Sequence, residues 1–189
     1  MILQTAASRS LRFGDILRAR IIEEKQALAG KKTAGVLLYR LRNSELEVFL
    51  VHPGGPFWAK KDLGAWSIPK GEFGEDEEPL NAAKREFQEE TGFSMDGSFI
   101  GLAPLKQRTG KLIYAWALER DCDAEAIKSN LFSIEWPPRS GRRREYPEVD
   151  RADWFPLEIA KRKIVPGQIG FLEELQQMIN SRLRSSRAD

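Results

Sequence analysis

A chain of 189 residues, 41% hydrophobic and 31% charged, holds about one domain plus extensions, and this globular balance excludes wholesale disorder. Its 30 basic and 28 acidic side chains leave a net charge of +2, which offers no global electrostatic case for binding nucleic acid or a membrane surface. One Cys (Cys122) and one His (His52) exclude an internal disulfide and a zinc site, and no apolar run approaches the ~18 residues of a transmembrane helix. Met1–Thr5 lacks the basic start and longer apolar stretch of a secretory signal, so a reduced, cytoplasmic protein is expected.

Residues 1–31 read as an N-terminal extension. Asp15–Ala29 is a candidate peripheral helix with Leu17, Ile21 and Leu28 on one side. Glu23 and Glu24 argue against an organelle transit peptide, which would be acid-poor. The domain proper is expected over 32–189. Ala34–Leu41 and Leu46–His52 are β-rich runs joined by a polar turn at Asn43-Ser44, which predicts a hairpin. His52 ends the second run and reads as a capped or half-buried histidine. A Pro/Gly-rich loop leads to Lys60 and Lys61, and Trp66–Pro69 reads as a short strand. A second hairpin is expected from Phe99–Gln107 and Lys111–Glu119. Phe132–Trp136 is another short strand, followed by a basic loop, Pro137–Arg144, and the strand Trp154–Pro156. Helices over Leu157–Lys163 and Gln168–Arg184 close the chain. In the second, Ile169, Leu172, Leu175, Ile179 and Leu183 recur at helical spacing. Interleaved hairpins and helices predict an α/β protein with a mixed sheet.

Gly71–Phe93, reading GEFGEDEEPLNAAKREFQEETGF, carries the chemistry. Pro79 suits the first helical turn, and Gly92 suits the left-handed residue past the end, which predicts a helix over Pro79–Thr91. At ~100° per residue, Glu86, Glu89 and Glu90 share one face about 100° wide. Ala82 falls on that face and leaves it open, while Leu80, Ala83 and Phe87 form an apolar stripe for the core. Three carboxylates so close repel each other, and they sit where the helix dipole disfavours negative charge. Such a face calls for a counter-cation, and all-oxygen ligands select Mg²⁺ or Mn²⁺ over Zn²⁺. A solvated acidic face is the plain alternative.

The segment resembles the Nudix box, Gly-x5-Glu-x7-Arg-Glu-U-x-Glu-Glu-x-Gly-U, with U bulky and apolar. Gly71, Glu77, Arg85, Glu86, Phe87, Glu89, Glu90, Gly92 and Phe93 all match. Chance odds for the seven fixed identities are on the order of 10⁻⁸ per frame. The lead-in Trp66-Ser67-Ile68-Pro69-Lys70 also resembles that of many Nudix hydrolases. The resemblance implies an α/β/α sandwich with a mixed sheet, the box forming loop–helix–loop with its helix on one face. It implies hydrolysis of a nucleoside diphosphate linked to another group. On that basis Glu86 and Glu90, with the Gly71 carbonyl, are the principal Mg²⁺ ligands. Glu89 is a further ligand or orients and deprotonates the attacking water. Arg85 and Glu77 form an ion pair that holds the helix against the preceding loop.

A carboxylate from outside the box is expected from among Glu135, Glu145, Glu148 and Asp150. Glu148 is preferred, because its spacing to Trp154 resembles that of dinucleoside tetraphosphate hydrolases. Lys60, Lys61, Lys70, Arg142, Arg143 and Arg144 are candidates to bind phosphates, against a solvated-loop reading for the arginines. Phe57, Trp58 and Tyr146 are candidates to stack a base. The expected activity is that of a Mg²⁺-dependent pyrophosphohydrolase of dinucleoside polyphosphates or nucleoside triphosphates. Diphosphoinositol polyphosphates, capped RNA ends and ADP-ribose are alternatives, as is a nucleotide- or RNA-binding module without turnover. The expected partner is a nucleotide or polyphosphate small molecule, with no membrane and nucleic acid disfavoured. Nothing in the sequence sets an oligomeric state.

Overall fold

The computed structural model describes residues 32–108 and 110–185. The extension over residues 1–31, with its expected helix at Asp15–Ala29, lies outside the described residues. Strand β1 (Lys32–Arg42) is the spine of the sheet, and its residues Ala34–Tyr39 are buried without interruption. That continuous apolar run is what a strand covered on both faces requires. It pairs antiparallel with β2 (Glu45–Pro53) and β3 (Lys70–Phe73), and parallel with β5 (Leu112–Glu119). With β4 (Ile100–Lys106) and β8 (Val149–Pro156) the order is β4-β5-β1-β2-β8, with β3 beside β1. The sheet is mixed, as expected. Asn43 and Ser44 both take positive φ, at 52° and 63°, the two-residue turn whose twist suits a β-hairpin.

Alternate strand residues point to opposite faces, and each face meets helices. Ala34, Val36 and Leu38 of β1, with Phe49 and Val51 of β2, pack against Ala82, Ala83 and Phe87 of helix α1 (Pro79–Thr91). Leu37, Tyr39, Val48 and Leu50 face the other way. They pack with Leu157 and Ala160 of α2 (Leu157–Lys163) and Phe171, Leu172, Leu175 and Ile179 of α3 (Ile169–Ser185). Three layers, α/β/α, result. Full burial of rings such as Phe49, Phe87 and Phe171 contributes roughly 1.5–3 kcal/mol each.

Four expectations about the main sheet and the box helix need correction. Trp66–Pro69 is not a ladder strand. It makes isolated bridges, Val51 to Ser67 and Trp66 to Ile164, and wedges between β2 and β3 against β1. The Pro69 carbonyl accepts from Val36 N–H at 3.1 Å, but Pro69 has no N–H to continue a ladder. Gly35 makes this approach possible, since a Cβ there would collide with Pro69 O and Lys70 Cβ. The true strand begins at Lys70, so the box opens on β3 rather than on a loop. Third, β8 starts five residues before the expected Trp154, at Val149. Fourth, Ala82 does not leave a face open: it is fully buried against the sheet.

Strands β6 (Leu131–Glu135) and β7 (Arg143–Pro147) form a separate two-stranded ribbon. The expected basic loop therefore ends early. Arg143 and Arg144 lie in β7, opposite Glu135 and Ile134. Pairing with β6 makes this charged run a strand, a tertiary effect that its residue types do not announce.

Candidate active site

Helix α1 is delimited by side-chain chemistry. Glu78 caps its start, accepting from Leu80 N–H at 2.8 Å and Asn81 N–H at 3.1 Å, and Pro79 fills the first turn. Gly92, at φ 80°, ends it and donates its N–H to Gln88 O at 2.7 Å. The last orphan carbonyls are met from outside: Lys128 N–H donates to Thr91 O at 2.9 Å and Asn130 N–H to Glu89 O at 3.0 Å.

On the exposed flank of the helix Arg85 gathers the acids. Its Nε and Nη2 donate to both oxygens of Glu77, each at 2.9 Å. Its Nη1 donates to Glu86 Oε1 at 2.6 Å and Glu89 Oε2 at 3.2 Å, and Nη2 reaches Glu72 O at 3.3 Å. Glu77 sits before the helix and Glu72 in β3, so this fork ties the lead-in segment to the helix. The Glu77 carboxylate holds the guanidinium above its ordinary value, against burial, with Glu86 adding to it. In return Arg85 pulls the Glu77 carboxyl below its usual range.

Glu86 is 13% exposed at its side chain, against 39% for Glu89. Burial raises the Glu86 carboxyl above the usual range, against the pull of Arg85, and the Glu89 and Glu148 charges add to the rise. Its carboxylate lies against Gly71, where any Cβ would overlap it. Glu90 accepts Lys70 N–H at 3.0 Å. Burial pushes Glu90 up to about 7; the Lys70 charge opposes this, and Glu86 and Glu148 reinforce it. The structure thus brings Gly71, Lys70, Glu86, Glu90 and Glu148 together. Glu89 stands at the rim.

Among the described residues no three acidic, His or Cys side chains converge at metal-ligand spacing. Glu86 and Glu89 turn to the Arg85 guanidinium, and Glu90 turns to the Lys70 amide. The donor set nevertheless suits a hard divalent cation: it is all oxygen, and its two inner carboxyls carry a burial cost that a cation would relieve.

Glu148 occupies the bend between β7 and β8 and is exposed. Its backbone is fixed on both sides. Its N–H donates to Asn130 O at 2.8 Å, and its carbonyl accepts from Gly54 N–H at 2.9 Å. Asn130 therefore joins the end of the box helix to Glu148, a role that no spacing or motif reveals. Of the other candidates, Glu135 accepts Gly141 N–H within the ribbon turn, and Glu145 lies on the same ribbon face as Ser133. Neither is brought to the helix. Asp150 bonds His52 instead.

The cations divide. Lys70 flanks Glu90. Lys60 and Lys61 lie exposed in the loop after β2, with the Lys61 ammonium 4.4 Å from the Trp58 ring centre. Ribbon and loop meet: Phe57 and Trp136 pack edge to face at 5.1 Å, and Phe132 crowds Gly55. Phe132, Ile134, Arg144 and Tyr146 share the ribbon face turned to this loop. Arg143 lies on the opposite face, tied to Ser133 Oγ and O at 3.0 Å each. Arg142 precedes β7 near the turn. The three arginines are not one patch.

A model of the NUDIX domain family matches residues 31–175 of this chain. The chain belongs to the Nudix family, and it is a pyrophosphohydrolase by class. An RNA pyrophosphohydrolase of Mesorhizobium japonicum is 27% identical over 125 residues, 58% of this chain and 67% of the relative. Among solved structures, a C. elegans Ap4A hydrolase in a binary complex superposes with a TM-score of 0.55 at 20% identity, over 80% of this chain and 98% of that one. A mutT/nudix family protein from Listeria innocua gives 0.54 at 17% identity, over 82% and 96%. These likenesses bear on the fold. Hydrolases of this family generally use divalent metal ions. No helix among the described residues is long and apolar enough to cross a membrane.

Proposed function

We propose that this chain hydrolyses a phosphoanhydride bond in a nucleoside diphosphate linked to another group, with Mg²⁺ as the preferred metal and a dinucleoside polyphosphate or nucleoside triphosphate as substrate. The observation that carries this reading is that Glu148, from a distant segment, lies within electrostatic reach of Glu86 and Glu90, beside Lys70 and Gly71. Glu86, Glu90 and the Gly71 carbonyl hold the metal, with Glu89 at the rim of the site. Bound metal supplies charge neutralisation on the diphosphate and a template for the attacking water. Glu148 or Glu89 takes the proton of that water. Arg85 holds Glu77 and the helix flank in register, a positioning role. Lys70, Lys60, Lys61 and Arg144 bind phosphate oxygens by charge-assisted hydrogen bonds.

The test is a panel of dinucleoside polyphosphates, nucleoside triphosphates, ADP-ribose and diphosphoinositol polyphosphate, with product identification. A 5′-triphosphorylated RNA belongs on it as a second reading, because the curated relative is an RNA pyrophosphohydrolase. Activity is expected to vanish on exhaustive chelation and to return with Mg²⁺ or Mn²⁺, with Zn²⁺ a poor substitute. Activity that survives chelation rejects the metal assignment.

The ribbon geometry sharpens an expectation about phosphate number. Arg144→Ala should raise KM for a tetraphosphate about fivefold, more than for ADP-ribose, with kcat little changed and the difference shrinking as salt rises. Arg143→Ala should do less, because Ser133 holds that side chain on the outer face. Equal KM shifts for both arginines would return the group to a general electrostatic role.

A further inference from the structure

His52 is the chain's one histidine and is fully buried, not half-buried at a strand end. It pairs with nothing in the carboxylate site. Its Nε2 donates to the Lys61 carbonyl at 2.8 Å, because a carbonyl can only accept. Its Nδ1 lies 2.7 Å from Asp150 Oδ1, a contact that holds one proton, carried by the ring or by the carboxyl. The β2–β8 pairing explains why Asp150 is there. His52 faces Arg151 and Pro53 faces Val149, so Asp150 is an extra residue in a bulge. Bulges re-aim side chains, and this one points Asp150 at the ring, two residues after Glu148.

The contact closes a loop. Chain entry to residues 54–61 is tied to Glu148 by Gly54 N–H, and exit is tied to Asp150 through His52. Next to the exit, Asp62 accepts from Trp66 Nε1 at 2.9 Å and from Lys163 Nζ at 2.6 Å, and Trp66 packs edge to face on His52 at 5.2 Å. Arg151 Nε lies 3.4 Å from Asp150 Oδ1, and its guanidinium stacks over Trp66. Between the two ties stand Phe57, Trp58, Lys60 and Lys61.

We infer that His52 is a positioning residue: through Asp150 and the Lys61 carbonyl it sets the Lys60–Lys61 loop relative to Glu148, and thereby governs affinity for polyphosphate. This rests on the phosphate-binding reading of those lysines given above. Glu148 keeps its own backbone ties to Asn130 and Gly54, so loss of the clamp should displace the lysines more than the acid. KM therefore rises more than kcat falls.

The experiment uses the full chain with three variants. His52→Phe keeps the ring contact with Trp66 and removes both nitrogens. Asp150→Ala removes the partner at a partly exposed position, and keeps the test available if His52→Phe does not fold. Asp150→Asn restores the contact, since its amide N–H can donate to Nδ1 while Nε2–H still donates to Lys61 O. Expected are a tenfold rise in KM for a dinucleoside tetraphosphate with His52→Phe and Asp150→Ala, a kcat within threefold, and recovery of KM to within threefold with Asp150→Asn. Amide hydrogen exchange over residues 54–62 should accelerate in the first two and not in the third. A lower melting temperature with unchanged KM would make His52 a core residue only. Asp150→Asn as damaging as Asp150→Ala would place the Asp150 charge in the chemistry and overturn the clamp. A wild-type protein that hydrolyses nothing on the panel refutes the proposed function, while the exchange pattern still decides for or against the clamp.

Discussion

Glu90→Gln is expected to lower turnover by about 10²–10⁴-fold with the fold intact. The substitution preserves size, helix propensity and an oxygen that can accept the Lys70 N–H, now 3.0 Å from Glu90. It removes only the charge. The expected magnitude is that of one preorganised electrostatic group at a reacting centre, about 2.7–5.5 kcal/mol of barrier. Stability should hold or rise, because a buried carboxylate that Glu86 and Glu148 both repel becomes neutral. Steady-state kinetics with circular dichroism checks both halves. Full turnover in the variant would remove Glu90 from the metal site. Glu89→Gln should cost less, since Glu89 is 39% exposed and its interaction with Arg85 is the longer one at 3.2 Å.

The metal-free protein should lose stability as pH rises from about 4.5 to above 7. Glu90 has its folded value pushed up to about 7, from 4.5 for the free side chain, chiefly by burial. Between those values the folded state binds a proton that the unfolded chain has released. Stability therefore falls with pH in that window, by about 3 kcal/mol once the group is ionised in both states. For a chain of this size that is roughly 6–12 °C in melting temperature. Glu86, also raised by burial, contributes in the same direction. The measurement is melting temperature in chelator across pH 5–8, for the wild type and Glu90→Gln. The variant should show a shallower decline, and Mg²⁺ added at pH 8 should restore stability to the wild type alone. Parallel curves for the two proteins would mean that Glu90 carries no buried charge.

The box helix was legible from its residues. Pro79, Gly92 and the stripe of Ala83 and Phe87 place both ends and the buried side, because capping and 3.6-residue periodicity are local properties. The hairpin at Asn43-Ser44 was legible for the same reason. The burial of Ala82 is not legible in this way, because a helical wheel shows direction and not what stands opposite: the sheet presses close enough to bury it. Trp66–Pro69 has a composition that suits a strand, but the partner edge of β1 is already shared by β2 and β3.

The family, the mixed sheet between helices and the acids of the box are all legible locally, since they follow from motif, alternation and spacing within short segments. Which distant groups come near them depends on the packing of the chain. Asn130, a residue in no motif, ties the Glu148 backbone to the end of the box helix. Arg143 and Arg144, adjacent in the chain, part to opposite faces of a ribbon, and a one-residue bulge turns Asp150 from the carboxylates to His52. For the arginines and Asp150 the cause is the same. Strand pairing and register set the direction of a side chain over long sequence separations, and a shift of a single residue sends it to the other face.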